Sequence, residues 1–278
     1  MKQTLLNLTL RLAALSLCLP LINSCGSQPI ASVNTEATSS TELIVGGRPA
    51  RAGQYPFMVG LVRADQPDTF QAQFCGGTLI NETTVLTSAL CLDGETPETL
   101  EVFVGASNLQ DPAGERIPVA SFLVHPKFDP LTFEADIALV TLARPANLSR
   151  RDFAKLATSD AGDYERARGT VLGWGKVRNL GNRFPVDLEE ATVPVESNED
   201  CIAAYEGINL VTEGMICAGR FRRDTCGGDG GGPLLATERG QLTQIGITSW
   251  GGRFCGQRRF PGVYTRISTF ATWIDENS

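Results

Sequence analysis

The chain has 278 residues, a formal net charge of −7, eight cysteines and one histidine. That length supports one large domain or two small ones with a real core, and 42% apolar against 20% charged residues excludes wholesale disorder. The acidic balance argues against a nucleic-acid binder, and a lone imidazole excludes any His-rich metal site.

Residues 1–24 read as an export signal: Lys2 and Arg11 are basic, and an apolar run from Leu12 to Ile22 is too short to span a bilayer. No acidic residue falls in this stretch, so the exported part stands at −9. The signal ends Leu21-Ile22-Asn23-Ser24-Cys25-Gly26, which resembles a bacterial lipobox and implies a lipidated Cys25, although Asn23 departs from the usual pattern. This would anchor the protein to a membrane through lipid alone, as a bacterial cell-envelope lipoprotein; ordinary secretion is the other reading. Residues 25–43 are rich in Ser and Thr and read as a flexible tether, reaching about 20–25 Å.

From Ile44 onward the chain reads as β-rich. Short apolar runs recur between turn residues at Phe57–Val62, Thr84–Thr87, Leu100–Val104, Ile137–Leu142, Gly169–Leu172 and Gln244–Ser249. This spacing predicts an all-β barrel or sandwich. At the end, Ile267, Phe270, Trp273 and Ile274 share one helical face, predicting a short terminal helix over 266–276. Outside Cys18 and Cys25 six cysteines remain, which suits an oxidising compartment, and spacing alone leaves fifteen pairings open.

Ile44-Val45-Gly46-Gly47, Cys75-Gly76-Gly77-Thr78-Leu79-Ile80, Asp136-Ile137-Ala138-Leu139, Gly173-Trp174-Gly175, Gly228-Asp229-Gly230-Gly231-Gly232-Pro233, Ser249-Trp250-Gly251 and Pro261-Gly262-Val263-Tyr264 occur in that order. As a set they resemble the trypsin/chymotrypsin-like serine protease family over 44–278. The resemblance implies two packed six-stranded antiparallel β-barrels, about 44–155 and 156–265, with the site between them. It also implies disulfides Cys75–Cys91, Cys201–Cys217 and Cys226–Cys255.

The chemistry of that family needs a Ser nucleophile, a His base and an Asp that orients the base. The resemblance carries over only Asp136. Leu90 stands at the base position in Thr87-Ser88-Ala89-Leu90-Cys91, and Gly230 stands at the nucleophile position. His125 reads as an exposed loop residue rather than a relocated base. Ser88 and Ser249 have no base to activate them, and Lys127, Lys155 and Lys176 form no recognisable Ser-Lys pair. The expectation is therefore a pseudoprotease that works by binding. The alternative is an enzyme with residual or rerouted Arg/Lys-directed activity.

The resemblance further places Asp224 at the base of a specificity pocket walled by Ser249, Trp250, Gly251 and Gly262. Either that pocket still takes the basic side chain of a peptide or protein, or Asp224 is solvated or paired with Arg222 or Arg223. The N–H groups of Gly228 and Gly230 are the implied oxyanion hole, and Asp229 is the implied acceptor for a new N-terminus at Ile44. Cutting at Leu43–Ile44 would sever a lipid anchor, so a tethered, uncut chain is expected. Arg220, Arg222, Arg223, Arg253, Arg258 and Arg259 form a basic patch that could meet an anionic partner or merely aid solubility. The stretch aligned with the family's calcium loop has Ala106 in place of a carboxylate and keeps only Glu115, so neither metal nor cofactor is expected.

Overall fold

The computed structural model describes residues 46–278, except 163, 178–182, 220–222 and 239 and the side chain of Arg150. The expected signal, Cys25, the tether and the Leu43–Ile44 bond therefore lie outside the described residues, as do Arg220 and Arg222.

Six strands, β2 (Met58–Arg63), β3 (Gln73–Leu79), β4 (Thr84–Thr87), β5 (Leu100–Val104), β6 (Glu115–Val124) and β7 (Ala138–Leu142), close a barrel in the order β2-β3-β4-β7-β6-β5. Their alternation sends Val59, Leu61, Leu79, Val85, Val102, Val104, Ile117 and Val140 into one core. Between β2 and β3 lies a single helical turn, α1 (Thr69–Ala72), capped by the Asp68 side chain.

The second sheet contains β1 (Arg48–Pro49), β8 (Lys155–Leu156), β9 (Arg168–Gly173), β10 (Glu189–Pro194), β11 (Met215–Ala218), β12 (Pro233–Glu238), β13 (Gln241–Trp250) and β14 (Gly262–Arg266). Its path runs β1-β10-β9-β12-β13-β14-β11, with β8 parallel to β13. The six strands from β10 to β11 return on themselves through one bridge, Val195 to Ala218, flanked by Glu196 N–H to Cys217 O and Gly219 N–H to Pro194 O. The expected division near residue 155 is crossed by the chain: β1, near the start of the domain, pairs with β10 of the second sheet. Glu190 fixes this pairing, taking the Arg48 Nε–H at 2.7 Å and the Tyr55 hydroxyl at 2.5 Å.

Two helices complete the fold, α2 (Asn198–Tyr205) and α3 (Ile267–Asn277). On α3, Ile267, Phe270 and Ile274 are buried against the second core, as their spacing predicts, and Trp273 packs beside them. His125 is not the exposed loop residue expected from sequence. It is 9% exposed and lies edge-on to Phe270 and Trp273, with centroids 5.1 and 4.9 Å away. Its Nδ1 accepts the Lys127 N–H, and burial, with Lys127 nearby, pushes its pKa down. A loop read alone could not show that the terminal helix folds over it.

The seam between the sheets positions the site. Leu86, Ala135, Ile137 and Leu139 of the first barrel's chain segments belong to the core of the second sheet. Asp136, between two of them, is completely buried at this seam.

Candidate functional site

Asp136 is held by groups from both sides. Its Oδ1 accepts the Leu90 N–H at 2.8 Å, and its Oδ2 accepts the Ser249 hydroxyl at 2.6 Å. Ser249 reaches it because the β13–β14 register shifts between Thr248 and Trp250, which leaves Ser249 outside the ladder. Burial pushes the Asp136 pKa up, and the bonds from Ser249, Leu90 and Ala89 oppose that. Leu90 opens a short 3-10 turn, Leu90–Leu92, and its side chain is 40% exposed. The structure thus puts a carboxylate against the backbone of the base position, while the side chain there is aliphatic.

The glycine string beyond the seam divides by physical need. Gly231 has φ +78°, and a Cβ there would overlap Thr87 Oγ1 and the Gly76 carbonyl, so only glycine fits. Gly230 is under no such constraint. A Cβ on it would meet Cys75 Sγ and Cys91 Sγ at 3.6 Å, an ordinary contact, and its φ is not left-handed. The backbone at 230 therefore has room for a Cβ. Among the described residues, the N–H groups of Gly228 and Gly230 have no protein acceptor.

Asp229 is fully buried and takes a backbone N–H on each oxygen, Gly175 on Oδ1 and Cys226 on Oδ2, both at 2.7 Å. Its carboxylate occupies the space where side chains at 173 and 175 would stand, which explains Gly173-Trp174-Gly175. Burial pushes its pKa up to about 7. Glu189 on β10, buried with an unpartnered Oε2, is pushed up to about 8 by burial and by the Asp187 and Asp229 charges. Ile44, the implied partner of Asp229, lies outside the described residues.

A pocket of about 270 Å³ opens beside Gly230, lined among others by Asp224, Gly228, Ser249, Trp250, Gly251 and Gly262. The site residues expected from sequence for this pocket are thus brought together. Asp224 is 5% exposed; its Oδ2 accepts the Gly256 N–H at 2.9 Å, while its Oδ1 has no hydrogen-bond partner. No salt bridge joins it to Arg223 among the described residues. Burial pushes its pKa up to about 7, against the opposing Gly256 N–H bond. The walls are narrow by composition: a Cβ at Gly262 would sit 2.8 Å from Asp224 Oδ1, and one at Gly219 would sit 3.4 Å from it.

Sequence reasoning missed several contributors. Gly219 and Gly256 shape the space around Asp224, Phe74 and Thr225 line the pocket, and the buried Tyr264 places its hydroxyl 3.3 Å from Thr225 Oγ1. Tyr264 stood within a quoted motif; the others carry no signal of their own.

Three disulfides staple this face: Cys75–Cys91 under Gly230, Cys201–Cys217 between α2 and β11, and Cys226–Cys255 across the pocket loops. Arg223, Arg253, Arg258 and Arg259 are exposed; Arg253 and Arg259 lie over the Phe254 and Phe260 rings, and Arg258 and Arg259 share a cleft with Glu196 and Asp200. Glu115 is bound to Arg144 at 3.0 Å.

The family model Trypsin matches residues 44–274. The chain is 36% identical over 260 residues to Serine protease 56 of Homo sapiens, covering 91% of this chain and 41% of that protein. It thus spans about two fifths of that relative's length. It is 32% identical over 269 residues to Trypsin Tyr p 3.0101 of Tyrophagus putrescentiae, covering 94% and 89% of the two chains. With Trypsin of Saccharopolyspora erythraea it shares 35% identity over 229 residues, 82% of this chain and 94% of the relative. Six closed strands, a second sheet, three disulfides, a carboxylate-based pocket and these matches lead to one assignment: the chain belongs to the trypsin family.

Proposed function

We propose that this protein is an exported, catalytically silent member of the trypsin family that binds an Arg or Lys side chain of a peptide or protein without cutting beside it. One observation carries the reading: Asp224 lines an open pocket with an unpartnered Oδ1, and Gly230 lines the same pocket. A buried carboxylate oxygen without a donor is costly, and a guanidinium or ammonium would relieve it. The same pocket offers two free backbone N–H groups to a bound carbonyl, but no hydroxyl attacks it and no imidazole moves a proton.

Silence at this level is compatible with an oxyanion hole, which alone gives about 10³–10⁴-fold over water in related machinery. For peptide hydrolysis that is negligible. Export is supported by the disulfides and by the leading 24 residues. We assign the anchor to lipid on Cys25 and take the chain as uncut at Leu43–Ile44; the two N–H bonds that already hold Asp229 support a pocket that does not wait for cleavage. Membrane partition of wild type but not of Cys25→Ala tests the anchor.

The function is tested on the purified full chain with benzamidine calorimetry, an arginine anilide and a fluorophosphonate label. Binding that is lost in Asp224→Asn, with neither turnover nor label, supports the reading. Turnover that is blocked by the label would establish the residual-enzyme alternative.

A further inference from the structure

Two loops carry a surface whose charge is opposite to that of the chain as a whole. The chain is net acidic, yet residues 223–228 and 251–261 hold Arg223, Arg253, Arg258 and Arg259 and a single carboxylate, Asp224. Asp224 is buried and takes the Gly256 N–H, so it does not offset the charge outside. The four arginines are exposed.

The two loops are fixed to one another. The Cys226–Cys255 disulfide holds their Cα atoms 5.4 Å apart, and each of these arginines lies within four residues of a bridged cysteine. Two of the guanidinium groups are also oriented by rings: Arg253 lies 5.7 Å from the Phe254 centroid and Arg259 lies 5.4 Å from that of Phe260. Phe260 is itself held by the buried Tyr205, 5.4 Å away, whereas Phe254 is 49% exposed. A guanidinium already resting on an aromatic ring loses less freedom when it binds an anion. Among the described residues, no carboxylate forms a salt bridge with Arg223, Arg253 or Arg259. The positive surface ends toward α2, where Glu196 and Asp200 enter the same cleft as Arg258 and Arg259.

This arrangement suits a thin chain of anions better than a folded acidic protein. A stable protein partner covers about 800 Å² on each side and would overlap the acidic flank at α2. A linear polyanion can follow the two loops and meet several guanidinium groups in succession, each gripping a carboxylate or sulfate with its fork of N–H donors. Phe254 adds an exposed apolar ring beside those charges, against which the C–H face of a sugar can pack. We propose that Arg223, Arg253, Arg259 and Phe254 bind an anionic polysaccharide, with its acidic groups on the arginines and one pyranose face on Phe254. The proposal does not depend on what the Asp224 pocket holds.

The test uses the full chain and three labelled probes: a heparin octasaccharide, neutral maltooctaose and an oligothymidine of similar charge to the heparin. The heparin probe should bind at 50 mM salt and weaken about ten- to fortyfold at 200 mM, as two or three ion contacts require. In Arg253→Gln/Arg259→Gln that salt effect should drop below about fourfold, and affinity at 50 mM should fall about tenfold or more. Phe254→Ser, at an exposed position, should weaken the heparin probe about threefold or more and leave its salt effect unchanged. Maltooctaose should not bind, and thermal unfolding shows that each variant is folded. No heparin binding at 50 mM salt, or a salt effect that survives the double substitution, overturns the proposal. Oligothymidine binding as tightly as heparin, with neither probe affected by Phe254→Ser, overturns the assignment to a polysaccharide.

Discussion

Burial gives the Asp224 pocket a pH dependence that can be worked from its geometry. The carboxyl is pushed up to about 7 because it is almost completely buried and accepts few hydrogen bonds. In an unfolded chain it would ionise near 3.9. An amidinium stays charged throughout the neutral range and pairs only with the ionised carboxylate. Its apparent affinity is therefore the intrinsic affinity multiplied by the ionised fraction. Above pH 7 affinity should level off; below it, affinity should fall about tenfold per pH unit, reaching about one hundredth of the plateau at pH 5. Asp229, also near 7, is coupled to Asp224, and Glu189, near 8, is coupled to Asp229. The observed midpoint thus belongs to the group, while the direction does not change. Calorimetry of benzamidine in two buffers of different ionisation enthalpy reads both quantities. It should show close to one proton released per ligand at pH 5.5 and almost none at pH 8.5. Affinity that is flat from pH 5 to 8 would refute the claim that this carboxyl is raised by burial. The same shift bears on stability with the sign opposite to the usual carboxylate. The folded state holds protons that the unfolded state has lost, so these carboxyls favour folding most at low pH and progressively less as pH rises from about 4 to 7.

Further outcomes follow from the packing. Gly262→Ala should abolish benzamidine binding, because its Cβ would sit 2.8 Å from Asp224 Oδ1, and should lower stability by about 1–3 kcal/mol in thermal unfolding. Gly230→Ser should fold with a change of about 0.5 kcal/mol or less, since its Cβ meets only the Cys75–Cys91 disulfide at ordinary distance. Joined with Leu90→His, which places an imidazole on the Asp136 side, it should accept a fluorophosphonate label and turn over an arginine ester; an unlabelled, folded double variant would show that more than these two groups is missing. Glu190→Ala removes the acceptor for Arg48 and Tyr55 and should lower stability by about 1–3 kcal/mol in denaturant titration; an unchanged midpoint would show that the β1–β10 pairing does not depend on it.

Much of the fold was legible because the sequence motifs answer hard steric demands. Gly231 is forced by φ +78°, and Gly173 and Gly175 by the Asp229 carboxylate. Short apolar runs marked β2, β4, β5, β7, β9 and β13 to within a few residues, and the spacing of Ile267, Phe270, Trp273 and Ile274 marked the terminal helix to within one. The three disulfide pairings were available only through the resemblance. What could not be read were contacts between distant segments. β1 joins the second sheet through Glu190, His125 disappears under Phe270 and Trp273, and Phe133 reaches Trp250 only by a strained turn. At the site, the string around Gly230 shows what is absent, but not that the space for it remains.

The most direct test of the account is a single titration run with a single label. Benzamidine is titrated calorimetrically into the full chain and into Asp224→Asn, and both proteins are then exposed to a fluorophosphonate. Saturable binding to wild type, at least about a hundredfold weaker in Asp224→Asn, with no covalent label on either, is the predicted result. Equal affinity for the two proteins, or a label on the wild type, would contradict a silent site that binds through Asp224.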